Sequence, residues 1–227
     1  MNYYLVPAKY EQSIRMAKLI IHLCLQPYDE ITGSKDFIVK YFPKMIHLVG
    51  SAAYRNDGTY VLGTAEGGLK ITLYMINSLP ENLDPEYLNE FYFHTMHHEF
   101  AHILHQTKPY SADFEMISGS DYVNDTWSDK WESDAEARKS GFITAYASSE
   151  ANEDFVELIA TYVTNTQEYW DDILSEAGTD GASIIKSKFE IVYNYMADSW
   201  NIDLNDLRAV IHRRQGEIDT LDLENIQ

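Results

Sequence analysis

His94-Thr95-Met96-His97-His98-Glu99-Phe100-Ala101-His102-Ile103-Leu104-His105 holds five of the chain's eight histidines, and its centre, residues 98–102, reads His-Glu-x-x-His. Upstream, Asp84 followed by Pro85 has the form of a helix N-cap with proline at the first helical position, so the spacing predicts a helix running to Gln106, ahead of Pro109. On a helix, residues four apart stand on one face, one turn apart. The imidazoles of His98 and His102 are therefore placed to grip one Zn²⁺, with Glu99 beside them to take a proton from water. Met96, Phe100, Ala101, Ile103 and Leu104 supply the apolar flank that buries such a helix and holds its ligands rigid.

Two histidines do not complete a catalytic zinc site, which takes three protein ligands and leaves a fourth position open. The metzincin continuation requires Gly at 105 and His at 108; this chain has His105 and Lys108, which excludes that class. His105 cannot join the pair either, because it lies about 10.5 Å along the helix from His98, and His94 fails by an analogous argument. His97 and His105 are expected to be structural. The candidate third ligand comes from Asn152-Glu153-Asp154-Phe155-Val156-Glu157, which opens a second predicted helix. Glu153 and Glu157 share one face there, so Glu153 can bind the metal while Glu157 accepts the second N–H of a ligand histidine and fixes its tautomer.

Composition sets the outer limits. The chain has 227 residues with 36 acidic and 17 basic side chains, a net charge of −19, and 45% hydrophobic residues, as expected of a folded globular protein. Residues 1–80 carry 8 basic and 6 acidic groups, whereas residues 81–227 carry 9 and 30. Such a field repels a phosphate backbone, so nucleic acid is not an expected partner. Cys24 is the single cysteine, which excludes an intrachain disulfide or a thiolate cluster. No stretch reaches the roughly 18 apolar residues of a membrane span, and the start MNYYLVPAKY lacks the pattern of a signal peptide.

Around the motif, the reading is a single domain over 1–227, α+β in class. Residues 1–80 supply helices and a small sheet, and residues 81–227 a mainly helical half that carries the metal site. A first helix is predicted over Tyr10–Leu25, closed by Pro27, and a second over Asp36–Phe42, stopped by Pro43. Met45–Gly50 reads as a buried strand; it joins Thr59–Gly63 and Leu69–Asn77 in a sheet of roughly three strands. The glycines between 50 and 69, among them Gly58, Gly67 and Gly68, are read as turns rather than a phosphate loop, because no Gly-Lys-Ser/Thr follows. Leu69–Met75 reads either as an edge against which an extended peptide can pair or as an ordinary internal strand. Residues 107–130, polar and dotted with aromatics, read as a wall or lid. Further helices are predicted near 131–139, 151–175, 180–199 and 203–215.

His-Glu-x-x-His followed on a later helix by Asn-Glu, with a carboxylate four residues on, resembles the gluzincin pattern of zinc peptidases such as thermolysin. Tyr146-Ala147, seven residues before Glu153, with the Glu-x-Phe-x-Glu core, resembles the catalytic domain of anthrax lethal factor. That match implies a role for Tyr146 as donor to the oxyanion. More of the chain, from GSAAYRNDGTYVLGTAEGGLKITLYMIN through HHEFAHILHQ to GFITAYASSEANEDFVE, resembles the zinc metallohydrolase lipoproteins of Bacteroidetes associated with substrate import. These resemblances imply a zincin-like fold and a gluzincin-type peptidase. In it His98, His102 and Glu153 hold one Zn²⁺, Glu99 is general base, Tyr146 assists, and Glu157 and Asn152 orient the histidines. They also imply a peptide or protein substrate, TonB-dependent import components as partners, and a periplasmic or outer-membrane lipoprotein whose anchor is absent from this chain. The competing expectation is a zinc-containing binding lipoprotein without turnover. A site closed by four protein ligands would mark it.

Overall fold

The computed structural model describes residues 4–54, 60–61, 63–66 and 69–225, so Gly58, Gly67 and Gly68 lie outside the described residues. The chain divides into two units, residues 1–103 with 209–227, and residues 104–208.

The first unit opens with α1 (Tyr10–Ile20), a π turn at Ile21–Leu25, and α2 (Gln26–Thr32). Pro27 therefore does not close the first helix, as the sequence suggested. The π turn shifts the register, with Gln26 N–H bonding back to Ile21 O, and Pro27 falls in the first turn of α2, where its missing N–H costs least. The stop comes at Gly33, whose φ of 68° is left-handed. After α3 (Asp36–Tyr41) come β1 (Met45–Leu48), β2 (Ala53–Tyr54), β3 (Tyr60–Val61), β4 (Gly63–Glu66) and β5 (Lys70–Leu73).

The sheet is mixed, in the order β1-β5-β4, with β1 parallel and β4 antiparallel to β5; β2 and β3 form a separate antiparallel ribbon. β5 is thus the internal strand, with Ile71, Thr72 and Leu73 buried. The edge reading of Leu69–Met75 is corrected: both of its backbone edges are already paired, so no peptide can add there. β1, expected to be buried, has alternately exposed and half-buried residues, because it forms one margin of the sheet.

Beyond the sheet the chain is helical. Asp84 accepts a hydrogen bond from Glu86 N–H at 3.3 Å and starts α4 (Pro85–Leu88); a π turn at Asn89–Phe93 then leads into α5 (His94–Thr107). Leu88, Tyr92, Met96 and Phe100 point into the core of the first unit with Met16, Leu19 and Ile71.

The second unit contains α6 (Asp113–Ser118), α7 (Trp127–Lys130), α8 (Asp134–Lys139), α9 (Ala151–Thr164) and α10 (Gln167–Trp200). The helix predicted over 151–175 is two helices. Asn165 is extended and the Thr166 hydroxyl accepts from Tyr169 N–H, so a new helix is capped where the sequence pattern ran on. Inside α10, Gly178 has φ 66° and ψ −173°, which breaks the helical path at the gap expected between 175 and 180. α8 and α10 approach so closely that a Cβ on Gly181 would lie 2.2 Å from Arg138 O. α11 (Leu204–Gln215) is capped by Asp203, whose carboxylate accepts from Asn205 and Asp206 N–H.

Candidate metal centre

The core-facing residues of α5 fix which way its histidines point. Met96, Phe100 and Leu104 recur every fourth position and are buried, which leaves His98 and His102 together on an adjoining face. Their Nε2 atoms lie 3.2 Å apart, and the rings meet edge to face with centroids 4.8 Å apart. Two zinc–nitrogen bonds of about 2.05 Å opened at a tetrahedral angle separate their nitrogens by about 3.3 Å. The spacing across one turn of α5 thus fits a shared Zn²⁺ without any change of rotamer. Glu99, half-buried, follows His98 on the same turn.

His97 lies on the inner face of α5 and is wholly buried. Its Nδ1 is hydrogen-bonded to Tyr28 Oη at 3.0 Å, and Tyr28 in turn packs its edge against Phe100 at 5.0 Å. Burial, and secondarily the neighbouring His94, pushes the His97 pKa down to about 3, so this imidazole is neutral. It anchors the helix from behind. His105 is also buried, edge-on to Tyr110 and Phe155. Both behave as the sequence reading expected of structural histidines.

In the second unit, Glu153 is half-buried in the first turn of α9, Glu157 is buried one turn later, and Asn152 is exposed. The Asn152 side-chain oxygen accepts from Tyr110 Oη at 2.8 Å, and the Tyr110 ring stacks on Phe155 at 4.0 Å. Asn152 therefore ties the segment after α5 to the start of α9. Glu157 Oε2 accepts from Thr144 Oγ1 at 2.8 Å. Tyr146 opens a 3₁₀ turn, Tyr146–Ser148, with its ring part-exposed and edge-on to Trp127 at 5.3 Å.

Beneath α9 lies a charge cluster that no sequence signal marked. Asp154 and Lys188, both fully buried, form an ion pair of 2.6 Å; Tyr122 Oη donates to the same carboxylate oxygen at 2.9 Å, and Lys188 Nζ donates to Gly141 O at 2.9 Å. The Lys188 ammonium also lies 4.1 Å from the Phe142 ring centroid. Burial raises the Asp154 pKa to about 6 against the opposing pull of Lys188, and burial lowers that of Lys188. Thr144, Asp154 and Lys188 were not singled out in the sequence. A threonine in a loop and a lysine in an amphipathic helix ordinarily face water, and their partners lie 13 and 34 residues away.

Histidine and glutamate groups able to hold a metal ion exist among the described residues, and His98 belongs to each of them. A family described as putative zinc-binding metallo-peptidases matches residues 1–205. The chain belongs to this family. A crystal structure of a putative zinc-binding metallo-peptidase from Bacteroides caccae ATCC 43185 is 45% identical, with a TM-score of 0.86, over 100% of this chain and 86% of that one. No curated protein matches the chain. The α+β, largely helical architecture is accordingly the one found in this family, and the His98–His102 spacing agrees with its zinc-binding description.

Proposed function

We propose that this protein is a gluzincin-type peptidase in which His98, His102 and Glu153 hold one zinc ion. The observation that carries the proposal is the 3.2 Å Nε2–Nε2 spacing across the turn that also bears Glu99. Two imidazole nitrogens and one carboxylate oxygen are a ligand set that a catalytic zinc takes, with a fourth position left open. When bound, zinc supplies a nucleophile at neutral pH and a Lewis acid for a carbonyl. Glu99 is the general base: it takes a proton from the attacking water and passes it to the leaving amine. The Tyr146 phenol donates a hydrogen bond to the oxyanion as it develops. Glu157 orients a ligand histidine through its second N–H.

The substrate we propose is a peptide or protein. The resemblance to import-associated lipoproteins supports a setting in the periplasm or at the outer-membrane surface, alongside TonB-dependent components. Among the described residues no helix is long and apolar enough to cross a membrane. The lipid anchor in this reading comes from the resemblance to the lipoproteins.

The test combines metal content with turnover. Elemental analysis of protein loaded with zinc and desalted is expected to give one zinc per chain. A peptide library read by mass spectrometry is expected to be cleaved by wild type and left intact by Glu99→Gln at the same zinc content. Zinc binding without cleavage by wild type would favour the binding-protein reading.

A further inference from the structure

We infer that Thr144 is a positioning residue that couples the turn bearing Tyr146 to Glu157; this rests on the zinc site proposed above. Its hydroxyl has one proton to give and two lone pairs to offer. It gives the proton to Glu157 Oε2 at 2.8 Å and accepts Ala147 N–H at 3.1 Å, the amide that directly follows Tyr146. One side-chain oxygen thus bridges a buried carboxylate on α9 and the backbone of the 3₁₀ turn.

The rest of that turn is held to other elements. Ala145 N–H donates to Asp134 Oδ1 at 2.7 Å, Trp131 Nε1–H donates to Ser148 Oγ at 2.8 Å, and Val123 N–H donates to Ser148 O at 2.9 Å. These bonds fix the turn to α8 and to the residues on either side of α7, but none of them reaches the helix that carries Glu153 and Glu157. The Thr144 hydroxyl makes that link. A hydrogen bond to an ionised carboxylate is directional and short, so it fixes which oxygen of Glu157 remains for a histidine N–H. Carboxylates that orient ligand histidines commonly change metal affinity 10–100-fold when they are disturbed.

The experiment measures zinc affinity by competition with a chromogenic chelator, on the full chain. Thr144→Val keeps the shape and removes the hydroxyl; Thr144→Ser keeps the hydroxyl. Thr144→Val is expected to weaken zinc binding about tenfold and Thr144→Ser to remain within twofold of wild type. In a Glu157→Ala background, Thr144→Val is expected to have no further effect, because the acceptor of the bond it breaks is already gone. Should Thr144→Val fold poorly, Thr144→Ala, which makes no new contact, takes its place in the same cycle.

Zinc affinity within twofold of wild type in the valine variant would overturn the inference. So would an equal loss in the two backgrounds, which would mean that Thr144 acts on zinc binding independently of Glu157. Failure of wild type to bind zinc, or unaltered binding by Glu153→Ala, would instead bring down the zinc site itself. The two failures are therefore read from different proteins.

Discussion

Lys188 Nζ stands 2.6 Å from Asp154 Oδ2 with neither side chain exposed to solvent. Taking both charges out of water costs several kcal/mol, and the pair is sustained by its geometry and by the added bonds to Tyr122 and Gly141. Removing one partner strands the other. Lys188→Met is expected to lower unfolding free energy by about 3–5 kcal/mol in urea titrations. The neutral double variant Lys188→Met/Asp154→Leu is expected to recover a large part of the loss. A single variant as stable as wild type would show that the pair contributes nothing to the fold.

Metal removal is expected to be visible in stability before any substrate is known. A ligand bound only by the folded chain stabilises it by about 2.7 kcal/mol at 100 times its Kd. Chelator should therefore lower the Tm of wild type, and added zinc should restore it. Glu153→Ala, lacking a proposed ligand, is expected to show no such response at the same zinc concentration. Differential scanning calorimetry with and without chelator reads both.

Gly63 in β4 faces the helix that carries the histidines. A Cβ there would sit 2.5 Å from Thr95 Cγ2 and 3.1 Å from Thr72 O, inside contact distance. Gly63→Ala is expected to destabilise the protein by about 1–3 kcal/mol through overpacking. Thr95→Ser removes the clashing methyl, so the Gly63→Ala/Thr95→Ser pair should be less than additive. Additive losses in chemical denaturation would place the strain elsewhere.

Tyr195 Oη donates to Lys108 O at 2.7 Å, and burial pushes the phenol up to about 12. The unfolded phenol ionises near 10, the folded one later. The unfolded chain therefore binds fewer protons between pH 10 and 12, and stability falls as pH rises through that window, by up to about 1.4 kcal/mol per pH unit. Below pH 10 both states keep the proton and the group adds no pH dependence. Tyr195→Phe, destabilised at pH 8 by the lost hydrogen bond, is expected to close part of its gap to wild type at pH 11. A constant gap across both pH values would contradict the assignment.

How far the sequence spoke depended on the range of the interactions. The helix through His98 and His102 was readable from Asp84, Pro85 and a four-residue apolar rhythm, because capping and periodicity are local. The division between α9 and α10 was not, since Thr166 differs from other threonines only in where its hydroxyl points. β5 was legible as a strand but not as the internal one, because pairing with β1 and β4 is set by distant segments. For the candidate centre, Glu153 and Glu157 stood out by their spacing and by the motif upstream. Thr144 and Lys188 did not, because what distinguishes them is burial against particular partners.

The π turn at Asn89–Phe93 bears on how this chain can change length. Such a turn accommodates one residue more than the α-helical count, and each residue of an α-helix advances the phase by about 100°. Loss of a single codon in this turn would let it close as ordinary α-helix, with Leu88 and Tyr92 keeping their phase to Met96 and Phe100. Loss of one residue in the α-helical stretch between His94 and His98 has no such slack and would rotate the histidine pair by about 100° against the core-facing residues before it. The chain carries one residue more here than a straight helix needs. A deletion is expected to be absorbed within the turn but not after it.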